Sequence, residues 1–135
     1  MGIYIHSLVS VIIHNSENLS CFMENNGIQS LLDFFESGTS LIHEYSGVCL
    51  ASLARENPVV KTKLSKMNAL KVYIRVLKKS PTENILKSIG FICENSQTNQ
   101  DIFVKNNGIE ELLKKYQPQL PKEDQYFMKE FVLWG

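Results

Sequence analysis

FMENNGIQSLLDFF, residues 22–35, returns as FVKNNGIEELLKKY at residues 103–116. A third version, LSKMNALKVYIRVL, stands between them at residues 64–77. If Gly27 is taken as the anchor of the first version, the matching residues are Ala69, 42 residues later, and Gly108, a further 39 residues on. The chain of 135 residues therefore repeats one unit roughly every forty residues.

Each version carries the apolar spacing of a helix with one buried face. Apolar residues recur at positions i, i+3, i+4 and i+7, which share one side of a helix with 3.6 residues per turn. One such stripe arises easily by chance, but three at a regular period, each behind an Asn-Gly or Asn-Ala pair, indicate a helical repeat. The stripes are Ile28, Leu31, Leu32 and Phe35; Leu70, Tyr73, Ile74 and Leu77; and Ile109, Leu112, Leu113 and Tyr116.

The residue pair in front of each stripe is typical of a sharp corner between two helices. Glycine tolerates the left-handed backbone conformation that ends many helices, so the sequence predicts that conformation at Gly27 and Gly108. Asn26, Asn68 and Asn107 either accept the same conformation or cap the helix that follows. The Asn-Gly pairs therefore have a structural explanation rather than a catalytic one.

Further signals place one helix before each corner and another after each stripe. Asn57 followed by Pro58 predicts an N-cap and the first residue of a short helix that reaches Lys66. Residues 80–83, Ser-Pro-Thr-Glu, predict a capping box with proline at the first helical position, and a long helix toward Glu94. The predicted unit is thus a short, a medium and a long helix.

This period and helix order resemble the armadillo repeat family. Residues 47–54, Gly-Val-Cys-Leu-Ala-Ser-Leu-Ala, resemble the third-helix signature Ala-Leu-x-Asn-Leu-Ala, and residues 25–35 resemble the second helix, Gly-x-Ile-x-x-Leu-Val-x-Leu-Leu. The proline that is common after the corner glycine in this family is absent from all three copies. The resemblance covers essentially the whole chain and implies an all-α fold, a right-handed α-solenoid of three-helix repeats.

The same register makes residues 1–135 a single armadillo-like domain. Natural end units of solenoids carry a polar outer face, whereas the first helix of this chain is mostly apolar. We therefore expect the chain to belong to a longer array or to self-associate through that N-terminal helix. The predicted units are a partial repeat at residues 3–14 and full repeats at 15–56, 57–95 and 96–134, the last ending in a helix at about residues 121–134.

Composition and charge argue against several classes of function. Lys plus Arg number 14 and Asp plus Glu number 14, so no net charge attracts nucleic acid or an anionic membrane. Cys21, Cys49 and Cys93 are widely separated and show neither zinc-site spacing nor a disulfide framework, which favours a reduced, intracellular and cytoplasmic location. No apolar run reaches the roughly 18–20 residues of a membrane span.

No motif points to catalysis or to a cofactor. The three histidines lack the spacing of a helical metal pair, no glycine-rich phosphate loop is present, and no serine lies in a nucleophile-elbow motif. Cys49 and Cys93 fall on apolar helix faces, where cysteine behaves as a small hydrophobic residue. The sequence therefore predicts that the protein is not an enzyme and holds neither a metal nor a cofactor.

The resemblance implies that partner binding uses the concave face lined by the third helices. In peptide-binding members of the family an Asn in each third helix holds the ligand backbone, and a Trp lies one turn earlier. None of the matching positions in this chain holds Asn or Trp, so that mode of peptide binding is not expected. The groove predicted here consists of His6, Ser10, Val48, Ser52, Arg55, Lys87, Phe91, Asn95, Tyr126 and Glu130.

Phe91, Tyr126 and Arg55 are the candidates for the strongest contacts, because aromatic residues and arginine dominate the energetics of interfaces. Phe91 is either an exposed anchor or a core residue. The expected function is a protein-interaction scaffold that binds a peptide or a partner helix. Two alternatives stay open: a helical-repeat RNA binder, which the zero net charge disfavours, and a purely structural segment of a longer solenoid.

Overall fold

The computed structural model describes residues 10–12, 15–38 and 40–116, and every regular element within these ranges is a helix. The predicted helix at residues 121–134 and most of the predicted partial repeat lie outside the described residues, although residues 10–12 are helical. None of the described helices combines the length and the apolar character needed to cross a bilayer. The helices are α1 (Ser16–Glu24), α2 (Gly27–Ser37), α3 (Leu41–Glu56), α4 (Pro58–Lys66), α5 (Ala69–Lys79), α6 (Glu83–Cys93), α7 (Gln97–Lys105) and α8 (Gly108–Tyr116).

Three of these helices, α1, α4 and α7, begin at the same point of each predicted unit with the same kind of cap. The side-chain oxygens of Asn15, Asn57 and Ser96 accept hydrogen bonds from backbone N–H groups of the first turn. Each cap satisfies donors that would otherwise lack a partner within the helix. The predicted N-cap at Asn57, with Pro58 as the first helical residue, is confirmed.

The corner between the first and second helices of each unit depends on asparagine, not on glycine. Asn26, Asn68 and Asn107 have φ values of 58°, 55° and 63°, which place them in the left-handed region. The prediction that Gly27 and Gly108 take this conformation is wrong, because both are the first residues of right-handed helices. The alternative that asparagine accepts the left-handed conformation is the correct one.

Glycine is needed at these corners because an aromatic ring lies against it. A Cβ atom at Gly27 would overlap the ring of Phe22, and a Cβ atom at Gly108 would overlap the ring of Phe103. In the middle unit the residue five positions before the corner is Leu64 instead of phenylalanine, and alanine occupies the corner. Within this chain, the larger side chain, phenylalanine, thus accompanies glycine at the corner, and the smaller one, leucine, accompanies alanine.

The start of α6 differs from the predicted capping box. Ser80 closes α5, its N–H bonded to the carbonyl of Val76, and the N-cap of α6 is Thr82, whose Oγ1 accepts from the N–H of Ile85. Pro81 consequently precedes the helix. The predicted long helix has only 11 residues against 16 in α3, because α6 begins late and the left-handed Asn95 follows close behind its end.

Helices of one unit pack against their counterparts in the next unit. Contacts join α2 to α5 and α5 to α8, α3 to α6, and α4 to α7. The predicted apolar stripes point into this stack: Ile28, Leu32, Phe35, Leu70, Tyr73, Ile74, Leu77 and Leu112 are buried, and Leu31, Ile109 and Leu113 are half-buried. The core therefore runs continuously from each unit into the next.

Tyr73 connects two units at the centre of the core. Its hydroxyl donates a hydrogen bond of 2.5 Å to the carbonyl of Gly47 on α3, and its ring lies 4.6 Å from that of Phe35 on α2. A Cβ atom at Gly47 would overlap the Phe35 ring, so glycine permits the close approach of α3 to α2. The buried phenol is satisfied, as a hydroxyl in an apolar interior must be.

Buried amides also join the second unit to the third. The side-chain amide of Asn99 donates to the carbonyl of Ile92 at 3.0 Å and accepts from the hydroxyl of Ser65 at 2.5 Å. Gln100 donates to the carbonyl of Cys93 at 3.0 Å. These side chains satisfy the last carbonyls of α6, which have no partner within their own helix. Sequence reasoning did not single out either amide.

We expect Gly108→Ala to lower the free energy of unfolding by about 1–3 kcal/mol, because the new methyl group meets a Phe103 ring that is fully buried. Adding Phe103→Leu recreates the Leu64 and Ala69 pair of the middle unit. The double variant should therefore be more stable than the sum of the two single effects predicts. Urea denaturation of the four chains measures this coupling.

Gly27→Ala is the matched control, since the Phe22 ring is only half-buried and can move aside. Its stability loss should be smaller than that of Gly108→Ala. Additive effects of Gly108→Ala and Phe103→Leu would contradict the steric explanation of the corner.

Candidate protein-binding face on α3 and α6

The longest described helix, α3, buries one side and leaves an apolar strip on the other. Leu50, Leu53 and Ala54 are almost fully buried against the neighbouring helices. On the opposite side, residues at i, i+4, i+7, i+11 and i+14 follow one line along the helix and are exposed or half-buried. They are Leu41, Tyr45, Val48, Ser52 and Arg55.

The neighbouring helix α6 extends this strip into a surface. It runs alongside α3 in the same direction, since the Thr82 hydroxyl hydrogen-bonds Glu44 near both helix starts and Arg55 contacts Phe91 near both ends. The outer side of α6 contributes Lys87 and Phe91, which lie about one turn apart. We call the five α3 residues together with Lys87 and Phe91 the α3–α6 face.

Arg55 and Phe91 form the most ordered part of this face. The Arg55 guanidinium lies 4.6 Å from the centroid of the Phe91 ring, and its Nε is 3.7 Å from a carboxylate oxygen of Glu94. The Arg55 side chain is 52% exposed, so the cation–π contact is worth only about 0.5–1 kcal/mol and the ion pair less. The two contacts place the guanidinium over the ring and close to the Glu94 carboxylate.

Phe91 fits neither of its two predicted roles alone. Its ring is half-buried and packs against the hydrophobic core, which is the behaviour of a core residue. The guanidinium of Arg55, on the neighbouring α3, lies over the ring. A partner that displaces or joins the guanidinium would reach the aromatic surface beneath it.

The other predicted groove residues divide into three groups. Val48 and Ser52 are half-buried on the α3–α6 face, and Lys87 is exposed there, 3.5 Å from Glu83 of its own helix. Ser10 is exposed on the helical residues 10–12, and Asn95 is exposed in the left-handed turn after α6. The remaining three, His6, Tyr126 and Glu130, lie outside the described residues.

Leu41 and Tyr45 belong to this face but were not predicted. Leu41 is 56% exposed and Tyr45 is 37% exposed, which makes them the most accessible large apolar residues on α3. The prediction took its register from the family signature near the end of the helix and did not extend it backward. The signal was present, because both residues continue the spacing of Val48 toward the N-terminus.

The electrostatics of this face are balanced. Each of its two cations, Arg55 and Lys87, lies within 4 Å of a glutamate carboxylate. No group of three or more potential metal ligands comes together in the part of the chain that the structure describes. The face can therefore bind through apolar and aromatic contact, but it offers no excess of positive charge.

The buried thiols are unsuited to nucleophilic chemistry. Burial raises the pKa of Cys49 to about 11, and burial raises that of Cys93 to about 12 although Lys61 partly offsets the effect. A thiol with a raised pKa carries almost no thiolate near neutral pH, and thiolate is the reactive form. The prediction that both cysteines are small core residues is confirmed, since both are buried.

Comparisons of the chain with protein-family models, curated proteins and solved structures found no match. The functional interpretation therefore rests on the residues and geometry of the chain itself.

We expect a thiol reagent at mildly alkaline pH to modify Cys21 in the folded protein and to spare Cys49 and Cys93, because only Cys21 is exposed. In denaturant all three thiols should react, and Ellman's reagent counts them in both states. Cys21→Ser should leave no rapidly reacting thiol in the folded protein. Rapid labelling of a second cysteine would contradict the packing of α3 or α6.

Proposed function

We propose that this chain is a segment of an armadillo-type α-solenoid. Three observations support this proposal: a first helix with the same kind of side-chain cap in every unit, an asparagine corner before every second helix, and the packing of α2 on α5, α5 on α8, α3 on α6 and α4 on α7. Because each unit of a solenoid contacts only its neighbours, further units can be added to such a stack. Its handedness and curvature are part of the proposal.

Within this framework we propose that the chain is a protein-interaction scaffold, whose α3–α6 face binds a peptide or a partner helix. The observation that carries the proposal is the exposed apolar strip of α3. Leu41 and Tyr45 are exposed near the start of this strip, and the Arg55 and Phe91 pair lies near its end. The spacing of Leu41, Tyr45 and Val48 matches the ridge of a helix, which suits an amphipathic segment laid alongside it.

A partner helix with apolar residues at i, i+3 or i+4 and i+7 would bury the strip and cover Phe91. An acidic residue of the partner could share the Arg55 guanidinium with Glu94, whose carboxylate lies 3.7 Å away. Aromatic residues and arginine contribute most of the energy at such interfaces. The proposed contact therefore places the strongest determinants near the end of α3 and the apolar ones near its start.

The RNA-binding alternative has less support. Nucleic-acid affinity depends on cations that neutralise phosphates, and both cations of the α3–α6 face already have carboxylate partners. A purely structural role in a longer array does not require the exposed Leu41 and Tyr45 of α3.

Selection from a displayed library of random peptides tests the scaffold proposal. We expect wild-type protein to enrich amphipathic sequences, and their dissociation constants should rise at least roughly thirtyfold in Tyr45→Ala or Phe91→Ala, about 2 kcal/mol for an interface hot spot. Fluorescence anisotropy measures the constants, and circular dichroism verifies that each variant is folded.

Leu41→Ala and Val104→Ala form a matched pair, because both remove exposed aliphatic groups but Val104 lies on α7. Only Leu41→Ala should weaken peptide binding. Equal affinities across all variants would remove the α3–α6 face from consideration, and tight, salt-sensitive binding of a random RNA oligonucleotide would favour the alternative function.

A further inference from the structure

A groove lies on a different part of the surface, between α1 and α4. Its volume is about 340 Å³, and we call it the α1–α4 groove. This volume is at the lower end of the range for ligand pockets, roughly 300–1,000 Å³, and suits a few side chains rather than a large molecule. The groove is lined by Met23 of α1 and by Pro58, Val59, Thr62, Lys63 and Lys66 of α4.

The groove exists because α1 and α4, the first helices of the first two units, do not pack closely against each other. One unit further on, α4 and α7 are joined by the hydrogen bond between Ser65 and Asn99 and lie in direct contact. In the repeat register, Met23 stands at the position of Ser65, and Val60 stands at the position of Asn99. That polar connection is thus absent between α1 and α4.

The groove combines an apolar lining with two cations. Val59 is 62% exposed, the highest value among the described large apolar residues, and Met23 is half-buried beside it. Methionine is flexible and adapts to different partners. Neither Lys63 nor Lys66 forms an ion pair with any residue that the structure describes.

Lys61, on the same helix, is a lysine with a structural hydrogen bond. Its ammonium group donates to the carbonyl of Glu94 at 2.5 Å and joins α4 to the end of α6. No described residue gives Lys63 or Lys66 a comparable contact, although Lys66 lies in the last turn of α4, where a cation is favourable.

We propose that the α1–α4 groove binds an acidic peptide segment of a partner protein. An apolar side chain of that segment packs on Met23, Pro58 and Val59, and flanking Asp or Glu residues pair with Lys63 and Lys66. The two lysines are three residues apart and so lie on one side of α4, which lets neighbouring carboxylates reach both. This site is separate from the α3–α6 face and does not depend on it.

The charge pattern favours a peptide over the other possible occupants. Polybasic segments that bind anionic lipid contain about 4–8 basic residues, and the groove has two. A second copy of this chain would have to bring an acidic apolar segment into the groove. A short peptide needs only one anchor and two carboxylates, which the dimensions of the groove permit.

A fluorescent peptide that carries one Leu-Phe pair flanked by Asp and Glu residues tests this proposal. We expect it to bind the full chain, with an affinity that falls as NaCl is added, because ion pairs at an open groove are screened. Lys63→Gln combined with Lys66→Gln should weaken binding at least tenfold, and Val59→Ser several-fold. The chain itself offers matched controls on α7: Lys105→Gln, one repeat after Lys66, and Val104→Ser should leave the affinity unchanged.

Two further peptides separate charge from apolar contact. One replaces the Asp and Glu residues by Lys, and the other replaces the Leu-Phe pair by Ser; both should bind at least tenfold more weakly. Equal binding of the Lys-bearing peptide, or full affinity in the double Gln variant, would overturn the proposal. So would loss of affinity in Tyr45→Ala, which would place the peptide on the α3–α6 face.

The remaining occupants give distinct results. Vesicles that contain phosphatidylserine, added in place of peptide, should not bind in a manner that depends on Lys63 and Lys66. Sedimentation should show that Val59→Ser does not change the oligomeric state of the protein in solution. If the peptide does not bind, lysine-dependent vesicle binding would assign the groove to a membrane, and a change of oligomeric state in Val59→Ser would assign it to a second copy. In both cases our assignment would be wrong.

Discussion

A left-handed asparagine between the first and second helices of each unit is the constraint on which the rest of the structure depends. Asn26, Asn68 and Asn107 turn the chain sharply enough for the second helix to present its apolar stripe to the neighbouring unit. A phenylalanine ring packs against glycine at the corners of the first and third units, and the buried Leu64 and Ala69 occupy the same positions in the middle unit. Without this turn the stripes would not face one another, and the units would have no common core.

The two proposed binding surfaces are parts of the molecule that the stacking of units leaves exposed. The third helices α3 and α6 contact each other, and among the described residues Leu41 and Tyr45 of α3 are exposed. The first helices contact each other between the second and third units but leave a groove between the first and second.

Polar side chains determine how closely two units approach. Ser65 and Asn99 connect α4 to α7 while Asn99 and Gln100 satisfy the terminal carbonyls of α6. A buried amide with all its partners in place is favourable in an apolar interior and costly when a partner is missing. The α1–α4 groove opens where Met23 and Val60 replace such a pair, and the change from polar to apolar residues at these two positions changes the surface available for binding.

The sequence by itself determined the helices, their order and the buried stripe of each second helix, because a stripe of period 3.6 and a capping asparagine act locally. It also determined the short helix that starts at Pro58. Only the tertiary structure decided that asparagine and not glycine is left-handed, and it showed that two corners need glycine because the ring of Phe22 or Phe103 lies against that residue. It alone decided that Thr82 caps α6, and it revealed the exposure of Leu41 and Tyr45 and the burial of Asn99. The spacing of Leu41 and Tyr45 was visible in the sequence, but their exposure depends on which helices of other units pack beside them, and those neighbours are distant in sequence.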